Sequence, residues 1–368
     1  MAMGLYFLLQ CAQKLGGRNN SYASVAKVTY PGAAILFDLV VAAKCFGLGV
    51  SYFIVIGDLM PQVMMYFNTA EDALLFSRHL WVLVFSMLLF PLALIRKLDS
   101  LYYASFVALF SVGLLLWIIL WGFLTSGPIN WEAVDWIRLD GGFYSGFPIF
   151  LYAFSCHENI FSVYNELLDN SAFNLSLIVN GAIGSSALVY AVVGILGYLT
   201  YGSKVCPNIL AMYNIGPLLT LGRIAVVLLA TFSYPFQSHP CRAVLLKLME
   251  DRSANGYSSL DAYPPGRRTV CQPYFYTTAF IVAGNCCVAL LVRRLDRVLA
   301  LVGSVGSTSI ALTFPAIMYL RLDHVLDIEP HSQSTRQRLQ RGAAYLVAAF
   351  GTTTLLLGTS YNIYTILD

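Results

Sequence analysis

Along its length the chain repeats one pattern: apolar stretches approaching twenty residues, without strand-like alternation, separated by short polar connections. A helix rises about 1.5 Å per residue, so a roughly 30 Å hydrocarbon layer takes about 20 of them. On that rule ten segments emerge, near Met1–Cys11, Pro31–Tyr66, His79–Ile95, Leu101–Leu124, Phe143–Asn165, Asn174–Thr200, Pro217–Pro240, Pro273–Val292, Val298–Leu320 and Gly342–Tyr364. The first is too short to span alone. It lacks the basic start and small-residue cleavage site of a signal peptide, so it reads as the end of a longer helix. A truncated product, or a gene model begun at an internal Met, is the expectation.

Composition turns this pattern into a class. With 58% hydrophobic and 11% charged residues, too little polar surface exists to cover a water-soluble globule, and a polytopic all-α membrane protein is expected. Lys and Arg number 22 against 19 Asp and Glu, too even a balance to hold a nucleic acid. Outer-membrane barrels are excluded by the missing alternation. With no soluble domain and no Gly-x-x-x-x-Gly-Lys-Ser/Thr loop, an ATP-driven pump is excluded too. Residues 1–368 read as one transmembrane domain, without an enzyme's site or a cofactor, with a cytoplasmic loop at 241–272 inside it.

The positive-inside rule sets orientation. One set of loops holds fourteen cations, Arg242, Lys247, Arg252 and Arg321 among them, the other set six, and Lys44 and Arg223 fall inside spans. This places Gly16–Tyr30 in the cytoplasm and the C-terminus on the luminal or extracellular side. The cluster Arg293-Arg294-Leu295-Asp296-Arg297 runs against the rule unless Asp296 and lipid phosphates neutralise it. Of the two longer loops, Thr125–Gly142 with Trp131, Glu132, Asp135 and Trp136 reads as an interfacial segment, and Cys241–Gln272 as a flexible connection. The eight cysteines predict no intramolecular disulfide, and the sequons at Asn19 and Asn174 fall near cytoplasmic loops.

Polar residues inside apolar spans are costly and therefore informative. The richest case is the run from Phe147 to Ile160, where His157 and Glu158 follow Ser155 and Cys156 in mid-span. An unwound helix there exposes peptide groups to a solute; a continuous helix with a satisfied His–Glu pair is the competing reading. A zinc protease is excluded, since position 161 is Phe161 where a second His is needed. In Pro217–Pro240, Pro235 and Pro240 free the carbonyls of Thr231 and Phe236, and an ion or proton path along Thr231, Ser233 and His239 stands beside simple packing. Asp38, Lys44 and Asp58 punctuate the second span, which is expected to end at Gly57–Pro61. Lys44 calls for a partner on another helix, because Asp38 lies on a different face. The small residues Gly303, Ser304, Gly306 and Ser307 read as a close helix contact.

Three strings, Lys44–Pro61, Tyr152–Ile160 and Ser233–Arg242, resemble the amino acid/auxin permease family and most of all its vacuolar amino acid transporters. The resemblance runs over nearly the whole chain. It implies a LeuT-like bundle of two inverted five-helix repeats plus one helix, in which Phe143–Asn165 is the broken first helix of the second repeat. It also implies a glycine-rich broken first helix, holding half of the substrate site, to which no residue of this sequence corresponds. Carried over are Phe154, Ser155 and Cys156 as substrate-binding positions and Thr231 and Ser233 as positions on the ion route. His157, Glu158 and His239 are added from burial and chemistry, His157 because imidazole titrates near pH 6.5. The expected activity is secondary transport of amino acids out of an acidic vacuole, coupled to protons in preference to sodium, with the lipid bilayer as surroundings. The alternative is a non-transporting sensor or scaffold, or an inactive truncated transporter; a passive channel lacks a ring-forming polar face.

Overall fold

The computed structural model describes all residues except 19, 68–73, 96–101, 128–130, 132–133, 137–140, 207, 214–215, 253–271, 327–334 and 368. Asn19, Glu132 and most of the 241–272 connection therefore lie outside the described residues. Among those described, every regular element is helical: α1 (Ala2–Leu15), α2 (Tyr22–Thr29), α3 (Ala34–Phe67), α4 (Arg78–Ala93), α5 (Tyr102–Thr125), α6 (Gly141–Ala153), α7 (Ile160–Glu166), α8 (Ala172–Tyr201), α9 (Pro217–Arg252), α10 (Gln272–Leu291), α11 (Leu295–Leu301), α12 (Phe314–Val325) and α13 (Thr335–Leu367). Among the described residues, seven helical stretches are long and apolar enough to cross a bilayer. The other three of the ten expected segments are α1, the short apolar α4, and the pair α6/α7.

Three expectations about these helices are corrected. α3 does not end at Pro61 but runs on to Phe67 with the proline inside. Proline removes one backbone bond, whereas leaving the helix would strip several peptide groups of partners in hydrocarbon. For the same reason α9 passes through Pro235 and Pro240 and continues to Arg252. Arg242 is thus not a loop cation: it is buried, its Nη1 donating to the Ala93 carbonyl at 2.6 Å and to Thr278 Oγ1 at 3.2 Å, its guanidinium 4.0 Å from the centre of the Tyr274 ring. Val298–Leu320 lies within one apolar helical stretch, Leu295–Val325, but that stretch is not α-helical throughout. Between α11 and α12, Val302–Ser307 and Ser309–Thr313 widen into π-helical turns, a rare geometry that shifts carbonyls out of register.

The chain divides into two compact units, Met1–Lys44, Leu139–Leu188 and Leu299–Asp368 in the first, Cys45–Arg138 and Val189–Val298 in the second. The first packs α1, α2, α7 and α12 around Leu5, Phe7, Leu8, Val25, Phe161 and Tyr319. Phe7 stacks on Tyr319 at 5.0 Å, and Lys14 lies 4.5 Å above the same ring while pairing with Asp323. The second centres on Phe53, Ile54, Leu59, Val82, Val227 and Tyr234. There Arg78 pairs with Asp58 at 3.0 Å and donates to the Ala289 carbonyl at 3.0 Å, joining α3, α4 and α10. Between α5 and α6, Trp131 and Trp136 stack 6.0 Å apart, both exposed. Large exposed apolar side chains such as Leu109, Leu177 and Leu346 present an apolar exterior on α5, α8 and α13, as a lipid-facing surface requires.

The small residues of the π-helical stretch act as the sequence suggests. A Cβ at Gly303 would strike the Pro148 carbonyl, and one at Gly306 would come within 2.7 Å of Lys44 Cβ. Pro148 O is backbone and cannot step aside. Gly303→Ala is therefore expected to destabilise the folded protein by about 1–3 kcal/mol, read as a lowered denaturation midpoint in micelles, while Gly146→Ala, where the added carbon meets open space, leaves the midpoint nearly unchanged.

Candidate functional site

The fifth apolar segment breaks where polar residues interrupt it. The Phe154 N–H still donates back to Phe150 and the Ser155 N–H to Tyr152; the next local bond joins Asn159 N–H to Cys156 O. Between them Ser155 and Cys156 belong to no helix, and His157–Asn159 form a single 3-10 turn leading into α7. The break thus presents the carboxyl end of α6 to the amino end of the turn and α7, two ends of opposite partial charge.

Lys44 joins these ends. Its ammonium, 2% exposed, donates to Ser155 O at 3.3 Å, Ser155 Oγ at 3.0 Å and Glu158 Oε1 at 2.6 Å. The cation thereby satisfies the carboxyl end of α6, where positive charge is favourable, and the carboxylate sits in the first turn after the break, where negative charge is favourable. Lys44 itself is held by the backbone contact at Gly306, since any larger residue there would displace its stem.

His157 is fully buried, and its Nε2 lies 3.1 Å from the Met1 carbonyl. A carbonyl only accepts, so Nε2 carries the hydrogen and Nδ1 is left as an acceptor. His157 Nδ1 and Glu158 Oε2 are both buried without a partner. Two adjacent residues at a helix break therefore each keep one acceptor unfilled. Ser307, next to Gly306 in the π-helical turn, adds a buried hydroxyl with no partner. Tyr22 of α2 closes one side: its hydroxyl donates to the Ile310 carbonyl at 3.1 Å and its ring meets Phe161 edge-on at 6.1 Å.

Phe154, Ser155, Cys156, His157 and Glu158 are thus brought together around Lys44. Cys156 is exposed, Phe154, Ser155 and Glu158 are half-buried. Thr231, Ser233 and His239 belong to the second unit. Thr231 is buried with its hydroxyl bonded to the Val227 carbonyl at 2.7 Å, whereas Ser233 and His239 are half-buried along α9. A cavity of about 640 Å³ in the first unit lies elsewhere, between α1 and the beginnings of α8 and α13. Its lining, including Phe7, Gln10, Gln13, Phe173, Leu339 and Gln340, contains no charged side chain, so it offers no ionic partner to a zwitterion.

Sequence reasoning singled out Lys44 and Glu158 separately but did not pair them, and it missed Tyr22, Ser307 and the π-helical turns. The pair had a readable signal: two lone, opposite charges in different apolar spans, each needing a partner.

The comparisons agree with this architecture. A family model described as "Transmembrane amino acid transporter protein" matches residues 2–363. Relatives include vacuolar amino acid transporter 5 of Schizosaccharomyces pombe, 36% identical over 98% of this chain and 84% of that protein. Vacuolar amino acid transporter 6 of Saccharomyces cerevisiae is 31% identical over 82% and 76%, and sodium-coupled neutral amino acid transporter 7 of Xenopus laevis 24% over 87% and 71%. A helical membrane protein, broken in mid-span around a buried ion pair and matched almost end to end, this chain belongs to the transmembrane amino acid transporter family.

Proposed function

We propose that the chain carries amino acids from the vacuole to the cytoplasm, driven by protons moving the same way down their gradient. The vacuolar assignment draws on the names of the fungal relatives, and in this reading the C-terminus lies in the lumen. The observation that carries the mechanism is the half-used carboxylate: Glu158 gives Oε1 to Lys44 and keeps Oε2 unfilled inside the break. An α-ammonium group brings three donors and no acceptor, which suits His157 Nδ1 and the peptide oxygens at Phe154–Cys156, while Glu158 Oε2 is the open position for the proton. The substrate carboxylate turns to Lys44 and to the amino end of α7.

Proton coupling is placed on Glu158 first. Protonation cancels its charge, frees Lys44 to bind the substrate carboxylate, and so links the proton to the solute. His157 is the second carrier in this scheme. It is the weaker one, because an imidazolium would add positive charge in a fully buried position beside Lys44. Thr231, Ser233 and His239 line the ion route on α9.

Reconstituted vesicles test this. A pH gradient, acid on the side from which substrate enters, is expected to drive labelled neutral amino acid uphill, and a sodium gradient at equal pH is not. Binding without flux under either gradient would make the protein a sensor instead.

A further inference from the structure

We propose that the second unit holds a small inorganic anion, of the size of chloride, against Arg223 at the amino end of α9. Arg223 is 1% exposed. It folds back so that Nη2 donates to the carbonyls of Leu210 at 3.0 Å and Tyr213 at 3.1 Å, in the connection leading into α9. That uses two of the five N–H groups; Nε and Nη1 are buried and have no acceptor. Arginine is always protonated, so this is a buried full charge met only by two neutral dipoles, a costly arrangement unless an anion completes it.

Neighbouring groups tilt the same way. Asn208, two residues before Leu210, has a buried Nδ2, itself a donor, without an acceptor. The first turn of α9 adds the positive end of the helix dipole. No Asp or Glu occurs between Asp169 and Glu250, whereas Lys204 does, and no carboxylate among the described residues pairs with Arg223. Donors without acceptors, a buried cation and a helix amino end thus all belong to α9 and the connection leading into it. The enclosure around Arg223 favours a single-atom anion over an organic one. Tyr213, whose ring meets Tyr201 edge-on at 5.4 Å and whose phenol would touch a Cβ at Gly122, ties the connection to α5 and α8.

The test uses the full chain in micelles at constant ionic strength, with chloride exchanged for gluconate. Chloride and bromide are expected to raise the thermal midpoint saturably relative to gluconate, as any ligand of the folded state does, and radioactive chloride should bind at about one site per chain and be displaced by bromide. Asn208→Leu, which spares the arginine, should raise the half-saturating chloride concentration at least tenfold, and Arg223→Gln should abolish the halide-specific shift. Equal midpoints in chloride and gluconate, absence of saturable chloride binding to the unmodified protein, or an undiminished halide shift in Asn208→Leu and Arg223→Gln would each overturn the proposal. The unmodified protein keeps the test valid should Arg223→Gln fail to fold.

Discussion

Lys44→Met is expected to cost about 3–5 kcal/mol of stability, because removing one member of a buried ion pair leaves the other charge uncompensated. The loss falls on three acceptors at once, Ser155 O, Ser155 Oγ and Glu158 Oε1, and methionine fills the stem's space against Gly306 without giving back a donor. The double variant Lys44→Met, Glu158→Leu should recover much of that stability, since an apolar pair of similar volume often equals a buried salt bridge. Denaturant titration in micelles separates the two variants. Transport should be lost in both, because the pair is assigned to the solute and the proton as well as to the fold. A double variant that regained transport along with stability would leave the ion pair a purely structural role.

Glu158→Gln is expected to give the second large effect and the cleaner one. Glutamine keeps the shape and can still accept at the break, but it cannot exchange a proton. A one-unit pH gradient is worth about 1.4 kcal/mol per proton, so one proton per substrate supports about tenfold accumulation. In vesicles the unmodified protein should approach that ratio and Glu158→Gln should stay at one. Exchange of labelled for unlabelled amino acid at equal pH on both sides should persist in the variant, which separates lost coupling from lost folding. Accumulation that survives the substitution would move the proton to His157 or to α9.

Much of this was legible in the sequence because a bilayer imposes simple length and polarity rules. Ten segments followed from apolar run length, and the break followed from Ser155, Cys156, His157 and Glu158 standing where hydrocarbon forbids them. What stayed hidden depends on distance in sequence or on backbone geometry. Lys44 and Glu158 are 114 residues apart, and a helical-face argument compares only residues on one helix. The π-helical turns left no mark beyond glycines and serines, which plain packing also explains. Prolines misled in the other direction: Pro61, Pro235 and Pro240 read as helix ends or defects, yet inside a membrane the cost of abandoning the helix exceeds the cost of one missing N–H. Arg242 was read as a loop cation for the same reason.

In the proposed mechanism the break at Ser155–Cys156 opens to water and to the transported solute. Cys156 is exposed and stands in the break itself, so it reports on this directly. In a variant with Cys206, Cys271 and Cys287 replaced by serine, a membrane-impermeant thiol reagent applied to vesicles should label Cys156, and a transported amino acid should slow the labelling several-fold. A Cys156 that resists the reagent from both sides of the membrane, or reacts at the same rate with and without amino acid, would contradict it.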